Sequence, residues 1–291
     1  MSTTETWTVG KLLTWTTDFL KQHGSDSPRL DAEVLLAHAR DCQRIELYTA
    51  FEEEPDDNIK AEFRELVKRR SAGTPVAYLV KHKEFYSLDF EVTEDTLIPR
   101  PETEHLVLRA LDIAADVYKQ VERPLRVADI GTGSGCIAIA FAKQFAAAEL
   151  VAVDASEAAL EVAHRNAIVH EVDSRVDFLK SDLLESLPDA TFDLILSNPP
   201  YVSQAEYAQL PATVREFEPT AALVGGPEGY ELIARLIGQA QPRLAAHGKL
   251  LIEMSPMLIE RQSEFVPEQW TAEVVKDLAG KPRILVLSVA S

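Results

Sequence analysis

Two short clusters hold residues whose types and spacing could do chemistry. The first is Ser197-Asn198-Pro199-Pro200-Tyr201. An Asn side-chain carbonyl followed by a Pro main-chain carbonyl offers two acceptors side by side. The consecutive prolines fix the backbone and bring no competing N–H. Such a pair can take both hydrogens of one planar NH2 group. That suits methyl transfer to an amide or exocyclic amine. The nitrogen's lone pair is delocalised, so it must be aimed at an electrophilic methyl group; it becomes acidic only once alkylated and needs no strong base beforehand. Asn198 and Pro199 are the candidate acceptors, and Pro200 and Tyr201 the candidate substrate contacts.

The second cluster is Asp129-Ile130-Gly131-Thr132-Gly133-Ser134-Gly135. It follows an apolar run and precedes a helical one. Its glycines permit a tight turn and let a ligand approach the backbone. Cys136 stands where a dinucleotide fingerprint would have its third Gly. Nineteen residues after Gly135, a second apolar run ends in Asp154, able to hydrogen-bond two ribose hydroxyls. A third ends in Ser181-Asp182-Leu183, suited to the edge and face of an adenine. The candidate cofactor residues are therefore Gly131, Thr132, Gly133, Ser134, Gly135, Asp154, Asp182 and Leu183, with Asn198 bordering them. Cys136, just inside a helix and without a partnered His, reads as a small packed hydrophobe.

These residues need a sheet to converge. Apolar runs predict strands at 126–130, 150–154, 176–180, 192–197, 249–253, 272–277 and 283–289. Helical spacing predicts helices at 136–145, 157–170 and 229–246. Strands alternating with helices give a mostly parallel sheet covered on both faces, with ligands bound at its carboxyl ends. The last two strands are joined too closely for a crossover and must pair antiparallel. Ahead of this, 9–23, 30–40 and 57–70 predict helices, and the acidic stretch 52–57 a solvated turn. Residues 82–98 predict a hairpin or extended linker turning at Asp89 and Asp95. Arg100-Pro101-Glu102-Thr103-Glu104 opens a further helix, with Pro early and acids at the positive end. The expected division is a helical N-terminal domain (1–75), a hairpin or linker (76–100) and an α/β domain (101–291).

Composition narrows the classes. The 291 residues are 46% hydrophobic and 26% charged, an ordinary globular balance. No apolar stretch approaches the ~18 residues of a membrane span, and Met1–Gly10 lacks the basic end and apolar core of a secretory signal. Two distant cysteines and seven scattered histidines predict neither a disulfide framework nor a metal site; a reducing cytoplasm is the expected compartment. Lys and Arg number 29 against 47 Asp and Glu, a net charge of −18. That weighs against stable nucleic-acid binding.

The two clusters together resemble Rossmann-type S-adenosylmethionine-dependent methyltransferases of the amino-methylating branch. The resemblance narrows through Leu30-Asp31-Ala32-Glu33, the 69–85 segment with Gly73, Pro75 and Tyr78-Leu79, Leu97-Ile98-Pro99-Arg100-Pro101-Glu102-Thr103-Glu104, and Phe217-Glu218-Pro219. In that order, over nearly the whole chain, these resemble the release-factor glutamine methyltransferase family (HemK/PrmC type). The resemblance implies a seven-stranded Rossmann-like sheet with its last strand antiparallel and an N-terminal helical bundle. It implies transfer of methyl from S-adenosyl-L-methionine, leaving S-adenosyl-L-homocysteine, to the side-chain amide of the GGQ glutamine of class 1 peptide-chain release factors. It also implies that Arg100, Pro101, Glu102 and Thr103 lie beside the cofactor or substrate, and that the bundle recognises the substrate. The chain departs from the family pattern at Val80-Lys81-His82, at Met254-Ser255-Pro256-Met257 after the Ile252-Glu253 pair, and at 278–283. The alternatives are methylation of an exocyclic amine in DNA or RNA, which uses the same acceptor logic on a flipped base, and a non-enzymatic binding module on the same scaffold.

Overall fold

A computed structural model describes residues 6–187 and 189–289. Met1–Glu5 of the segment read as carrying no secretory signal lie outside the described residues, as do Ala290 and Ser291 of the expected α/β domain. Elements run in the order α1 (Val9–Gln22), α2 (Pro28–Ala39), α3 (Glu46–Thr49), α4 (Asp57–Ser71), α5 (Val76–Val80), β1 (His82–Phe85), β2 (Leu88–Glu91), a 3₁₀ turn (Pro101–Thr103) and α6 (Glu104–Val121). Then come β3 (Leu125–Ile130), α7 (Cys136–Gln144), β4 (Ala148–Asp154), α8 (Glu157–Val169), β5 (Val176–Lys180), β6 (Phe192–Ser197), β7 (Val202–Ser203), α9 (Gln204–Tyr207), α10 (Ala212–Arg215) and β8 (Val224–Gly226). The chain ends with α11 (Glu231–Ala240), β9 (Leu244–Glu253), α12 (Pro256–Glu260), β10 (Trp270–Lys276) and β11 (Pro282–Val289). The chain forms two compact units. One runs to His82 and includes Ala212–Phe217; the other comprises Lys83–Pro211 and the chain from Glu218 onward.

The first unit is helical. Its core is Val9, Leu13, Leu20, Leu35, Leu36, Phe63, Val67 and Leu79, spaced so that α1, α2 and α4 each turn one apolar stripe inward. The acidic stretch before α4 has a local use, because the Asp56 carboxylate accepts the N–H groups of Asn58 and Ile59 and caps the helix. Glu33 is buried and holds Arg29, Arg44 and Tyr48. Burial pushes its carboxyl up, but the Tyr48 hydroxyl and the two guanidinium groups outweigh that and leave it below the usual range.

The second unit is a seven-stranded sheet in the order β10-β11-β9-β6-β3-β4-β5. β5, β4, β3, β6 and β9 run parallel to one another, and β11 is antiparallel to both β9 and β10. The last strand is therefore the reversed one. The chain enters at β3, steps outward to β4 and β5, and returns to β6 on the other side of β3. The switch point lies between β3 and β6, where open α/β sheets place ligands. β6 is buried along its whole length, as a central parallel strand must be. Its one internal carboxylate, Asp193, is neutralised by Arg123 at 2.8 and 3.0 Å. No described helix is long and apolar enough to cross a membrane.

Two sequence expectations are corrected. The helix expected over 229–246 covers only Glu231–Ala240. A 3₁₀ turn at Gln241–Arg243 ends it, because Pro242 has no N–H to continue the ladder, and Ala245, Ala246 and His247 extend β9 instead. The β1–β2 hairpin turns at Tyr86 and Ser87, not at Asp89, which lies inside β2. Both turn residues have positive φ, 53° and 58°. That is a primed turn made without the usual Gly or Asn. The Glu104 carboxylate accepts the Tyr86 N–H at 2.9 Å and holds it.

Candidate active site

The carboxyl ends of β3, β4, β5 and β6 open onto one cavity of about 540 Å³. The backbone turn after β3 forms one wall. Asp129, fully buried, accepts the Thr132 hydroxyl at 2.6 Å and the Ala138 N–H, so the loop is tied to both its strand and its helix. Burial pushes the Asp129 carboxyl up to about 7. On the outer side, Asn166 of α8 donates to the Ser134 carbonyl and pairs with both backbone groups of Glu91 in β2. The hairpin thereby braces the loop.

The three glycines differ in what they do. Gly131 and Gly133 have φ of +73° and +55°, and a Cβ on either would meet nothing within 4 Å. Both line the cavity, so their bare backbone is available to a ligand. Gly135 (φ +82°) does not line it. A Cβ there would stand 2.9 Å from Ile139 Cδ1 and 3.1 Å from Ala163 Cβ, which makes Gly135 a packing glycine between α7 and α8. Gly135→Ala is therefore expected to cost about 2–4 kcal/mol through left-handed strain plus overpacking, read as a lowered Tm. Gly133→Ala should lower cofactor affinity at least ~10-fold for a smaller loss of about 1–2 kcal/mol in stability. Equal Tm shifts for the two variants would refute the distinction.

Asp154 projects from the end of β4. One oxygen accepts the Gly133 N–H and the other the Ser156 N–H, both at 2.9 Å. Burial raises its pKa, and these backbone bonds oppose the rise. Ser181, Asp182 and Leu183 follow β5 along the same cavity. The Asp182 carboxylate is paired with Arg235 at 2.8 Å, so it is the side of this segment away from that ion pair, with Leu183, that can meet a ring. Cys136 borders the cavity, but burial pushes its thiol up to about 12, which removes it as a nucleophile.

Asn198, Pro199 and Pro200 form the opposite wall. The Ser197 hydroxyl donates to the Ile130 carbonyl at 2.7 Å and locks the ends of β6 and β3 together. Gly225 of β8 supports the proline pair from behind, since a Cβ there would lie 2.3 Å from the Pro200 carbonyl oxygen. The Asn198 amide donates to the Thr103 hydroxyl at 3.1 Å. Tyr201 lies beside the main cavity in a smaller one of about 60 Å³, which it shares with Leu97, Arg100, Asn198, Val202, Ala222 and Leu223. Burial, with the neighbouring Glu253 charge, pushes the Tyr201 hydroxyl up to about 12, so it stays a neutral phenol. Of the 100–103 segment, Arg100 and Thr103 reach the main cavity and Pro101 and Glu102 do not. Arg100 is held by the buried Glu218, which also accepts the Ile98 N–H. The Glu218 of Phe217-Glu218-Pro219 thus anchors the Leu97–Thr103 strap.

Sequence reasoning missed several lining residues, among them Glu94, Asp95, Leu97, Ser156 and Ala222. It also gave no site role to Asp129, Asn166 or Gly225, which act through buried hydrogen bonds or close backbone packing. Among the described residues no group of three His, Cys, Asp or Glu side chains could hold a metal ion.

Residues 11–80 match the PrmC N-terminal domain family and residues 109–222 the methyltransferase small domain family. The release factor glutamine methyltransferase of Rhodopirellula baltica is 52% identical over 289 residues, 98% of this chain and 97% of that protein. The release factor glutamine methyltransferase of Koribacter versatilis is 40% identical over 268 residues, 92% of this chain and 93% of that one. Among solved structures, the hMettl16 catalytic domain in complex with MAT2A 3'UTR hairpin 6 aligns with a TM-score of 0.54 at 17% identity, over 78% of this chain and 83% of its own. That likeness concerns the fold alone. Sequence identity of this extent, over a cavity walled by a glycine turn and an Asn-Pro-Pro-Tyr loop, places the chain in the release factor glutamine methyltransferase family.

Proposed function

We propose that this chain transfers the methyl group of S-adenosyl-L-methionine to the side-chain amide nitrogen of the GGQ glutamine in class 1 peptide-chain release factors. The observation that carries this reading is Asn198. Its NH2 donates to Thr103, which orients the amide and leaves its carbonyl oxygen as an acceptor beside the Pro199 backbone at the cavity wall. The residues of the cavity fit the cofactor. Gly131 and Gly133 offer open backbone where a side chain would intrude, and Asp154 offers a carboxylate at the rim. When bound, the cofactor supplies a methyl group on a positive sulfonium.

The protein's own part is orientation. The Asn198 and Pro199 carbonyls accept the two amide hydrogens, so the nitrogen lone pair is turned toward the cavity. The rigid proline pair, backed by Gly225, keeps the acceptors in place. Tyr201, with Leu97 and Leu223, packs the methylene part of the glutamine side chain and excludes water. Reacting atoms held ~3–3.5 Å apart in this way need no base beforehand, and the nitrogen releases a proton once it is alkylated. The helical unit at the N-terminus recognises the folded release factor, and its binding energy brings the glutamine to the loop.

The test is mass spectrometry of a purified release factor incubated with the enzyme and cofactor. The expected product carries one added methylene on the GGQ glutamine. A short peptide around that glutamine should be methylated at least ~10-fold less efficiently than the intact factor, because it forfeits the remote binding energy. Modification elsewhere, or of a nucleic acid instead, would overturn the proposal.

A further inference from the structure

Arg100 stands between Pro99 and Pro101, which fix the backbone on either side of it. Its own backbone is extended (φ −101°, ψ 142°), and its carbonyl accepts the Thr103 N–H at 3.1 Å. Arg100 and Asn198 are the two polar residues that border both the large cavity and the small one. Among the described residues, Glu218 is the one acceptor that the Arg100 side chain meets, with Nη2 donating to Oε1 at 2.5 Å. The Glu218 side chain is 2% exposed and that of Arg100 35%. One edge of the guanidinium is therefore anchored on a buried carboxylate, and its other donors are open.

We infer that the open edge of Arg100 donates to a main-chain carbonyl of the substrate at the target glutamine, which makes Arg100 a second anchor for the peptide that carries the reacting amide. The inference rests on the reading of a glutamine side-chain amide held by Asn198 and Pro199.

The chemistry of the Arg100–Glu218 pair selects this ligand. A guanidinium carries donors only, so its partner must accept. The substrate NH2 is excluded, because it has only hydrogens to offer and Asn198 and Pro199 take those. A carboxylate, such as the amino-acid end of the cofactor, is disfavoured. Glu218 already balances the Arg100 charge, and a second carboxylate on the same guanidinium would repel the first. The amide oxygen of the target is unsuitable for another reason. A cationic donor there would draw the nitrogen lone pair further into the carbonyl, against attack on the methyl group. A main-chain carbonyl is neutral, accepts, and stands a few bonds from the reacting amide.

Held at both ends, the glutamine side chain loses the rotations that would swing its amide off the line of attack. The buried Glu218 in turn keeps the guanidinium from turning into solvent, because its departure would strand a buried charge. Glu218 also accepts the Ile98 N–H, so the carboxylate that aims Arg100 is itself tied to the strap. Free glutamine ends in a carboxylate where a peptide has this carbonyl. It meets the same repulsion from Glu218, so the pair selects a glutamine within a chain.

The test uses the full-length enzyme with intact release factor and with short Gly-Gly-Gln peptides, alongside calorimetry with S-adenosyl-L-homocysteine. Arg100→Lys keeps a cation for Glu218 but replaces the fork by a single point of charge. It should lower kcat/KM for both factor and peptide about 10–100-fold, the scale of one hydrogen bond to a charged group. Affinity for S-adenosyl-L-homocysteine should stay within about 3-fold, since a tenfold change would mean a lost interaction. Arg100→Met combined with Glu218→Gln leaves no buried charge unpaired and should behave alike. Replacing the main-chain carbonyl oxygens of Gly-Gly-Gln by sulfur, one at a time, supplies a weaker acceptor. One position should cost the wild-type enzyme several-fold in kcat/KM and cost Arg100→Lys nothing further. Wild-type kcat/KM in both variants, a loss confined to cofactor affinity, or a sulfur series with no sensitive position overturns the inference. Should neither variant fold, the sulfur series with the wild-type enzyme decides by the same criterion. A wild-type enzyme that binds S-adenosyl-L-homocysteine yet leaves release factor and peptide unmethylated would instead overturn the proposed function, so the two failures are distinguishable.

Discussion

Asn198→Ala is expected to lower single-turnover methyl transfer by at least ~10²-fold at saturating cofactor, the scale of a small misplacement of reacting groups. The alanine keeps the backbone of the loop, since Ser197 still locks β6 to β3 and Gly225 still supports Pro200. What disappears is one of two acceptors. The substrate amide then pivots about the Pro199 carbonyl and its lone pair leaves the line of attack. Cofactor affinity should change by less than ~3-fold, because the glycine turn and Asp154 are untouched and a factor of ten would correspond to ~1.4 kcal/mol. Asn198→Asp is a sharper probe. The introduced carboxylate cannot donate to Thr103, so this hydrogen bond survives only by reversal, with the Thr103 hydroxyl as the donor. We expect this variant to be at least as impaired as the alanine variant despite its near-identical shape. Near wild-type transfer by Asn198→Ala would end the two-acceptor mechanism.

How much of this was legible beforehand depended on whether a feature was local. The parallel strands of the sheet are short apolar runs closed by polar residues, and β5 and β6 fall on the expected residues. The Asn-Pro-Pro-Tyr loop and the glycine turn could be read because their chemistry lies in consecutive residues. The end of α11 could not, because Leu244 and the two alanines after it continue a helical composition, and only the pairing of Leu244 with Phe192 of β6 decides. The Tyr86-Ser87 turn was hidden because neither residue favours positive φ; it is held by Glu104, a residue of the following helix. The separate role of Gly135 required knowing that α8 passes within contact of α7. The Asn198–Thr103 hydrogen bond joins residues far apart in sequence, and nothing short of the tertiary fold brings them together.

The second large effect concerns Asp154, where the obvious conservative change should be nearly as damaging as deletion. Both oxygens accept backbone N–H groups, one from Gly133 in the glycine turn and one from Ser156 at the start of α8. The remaining lone pairs are what the ribose hydroxyls of the cofactor would meet. Asp154→Asn keeps the shape but replaces one acceptor by an NH2, and whichever way it sits, two donors oppose each other at Gly133 or at Ser156. The turn must shift to relieve this, at the point where bare backbone meets the ligand. Loss of charge-assisted bonds of roughly 1.5–3 kcal/mol predicts an affinity ~10–100-fold weaker for Asp154→Ala, and Asp154→Asn should fall within that range. Calorimetry with S-adenosyl-L-homocysteine reads it without turnover. The pH dependence should have a definite sign. Burial raises the Asp154 pKa, and only the ionised form accepts at every lone pair, so wild-type affinity should fall on acidification while that of Asp154→Asn stays flat over the same range. Full affinity in Asp154→Asn would show that the carboxylate merely closes the strand end, and that the ribose is held elsewhere along the cavity.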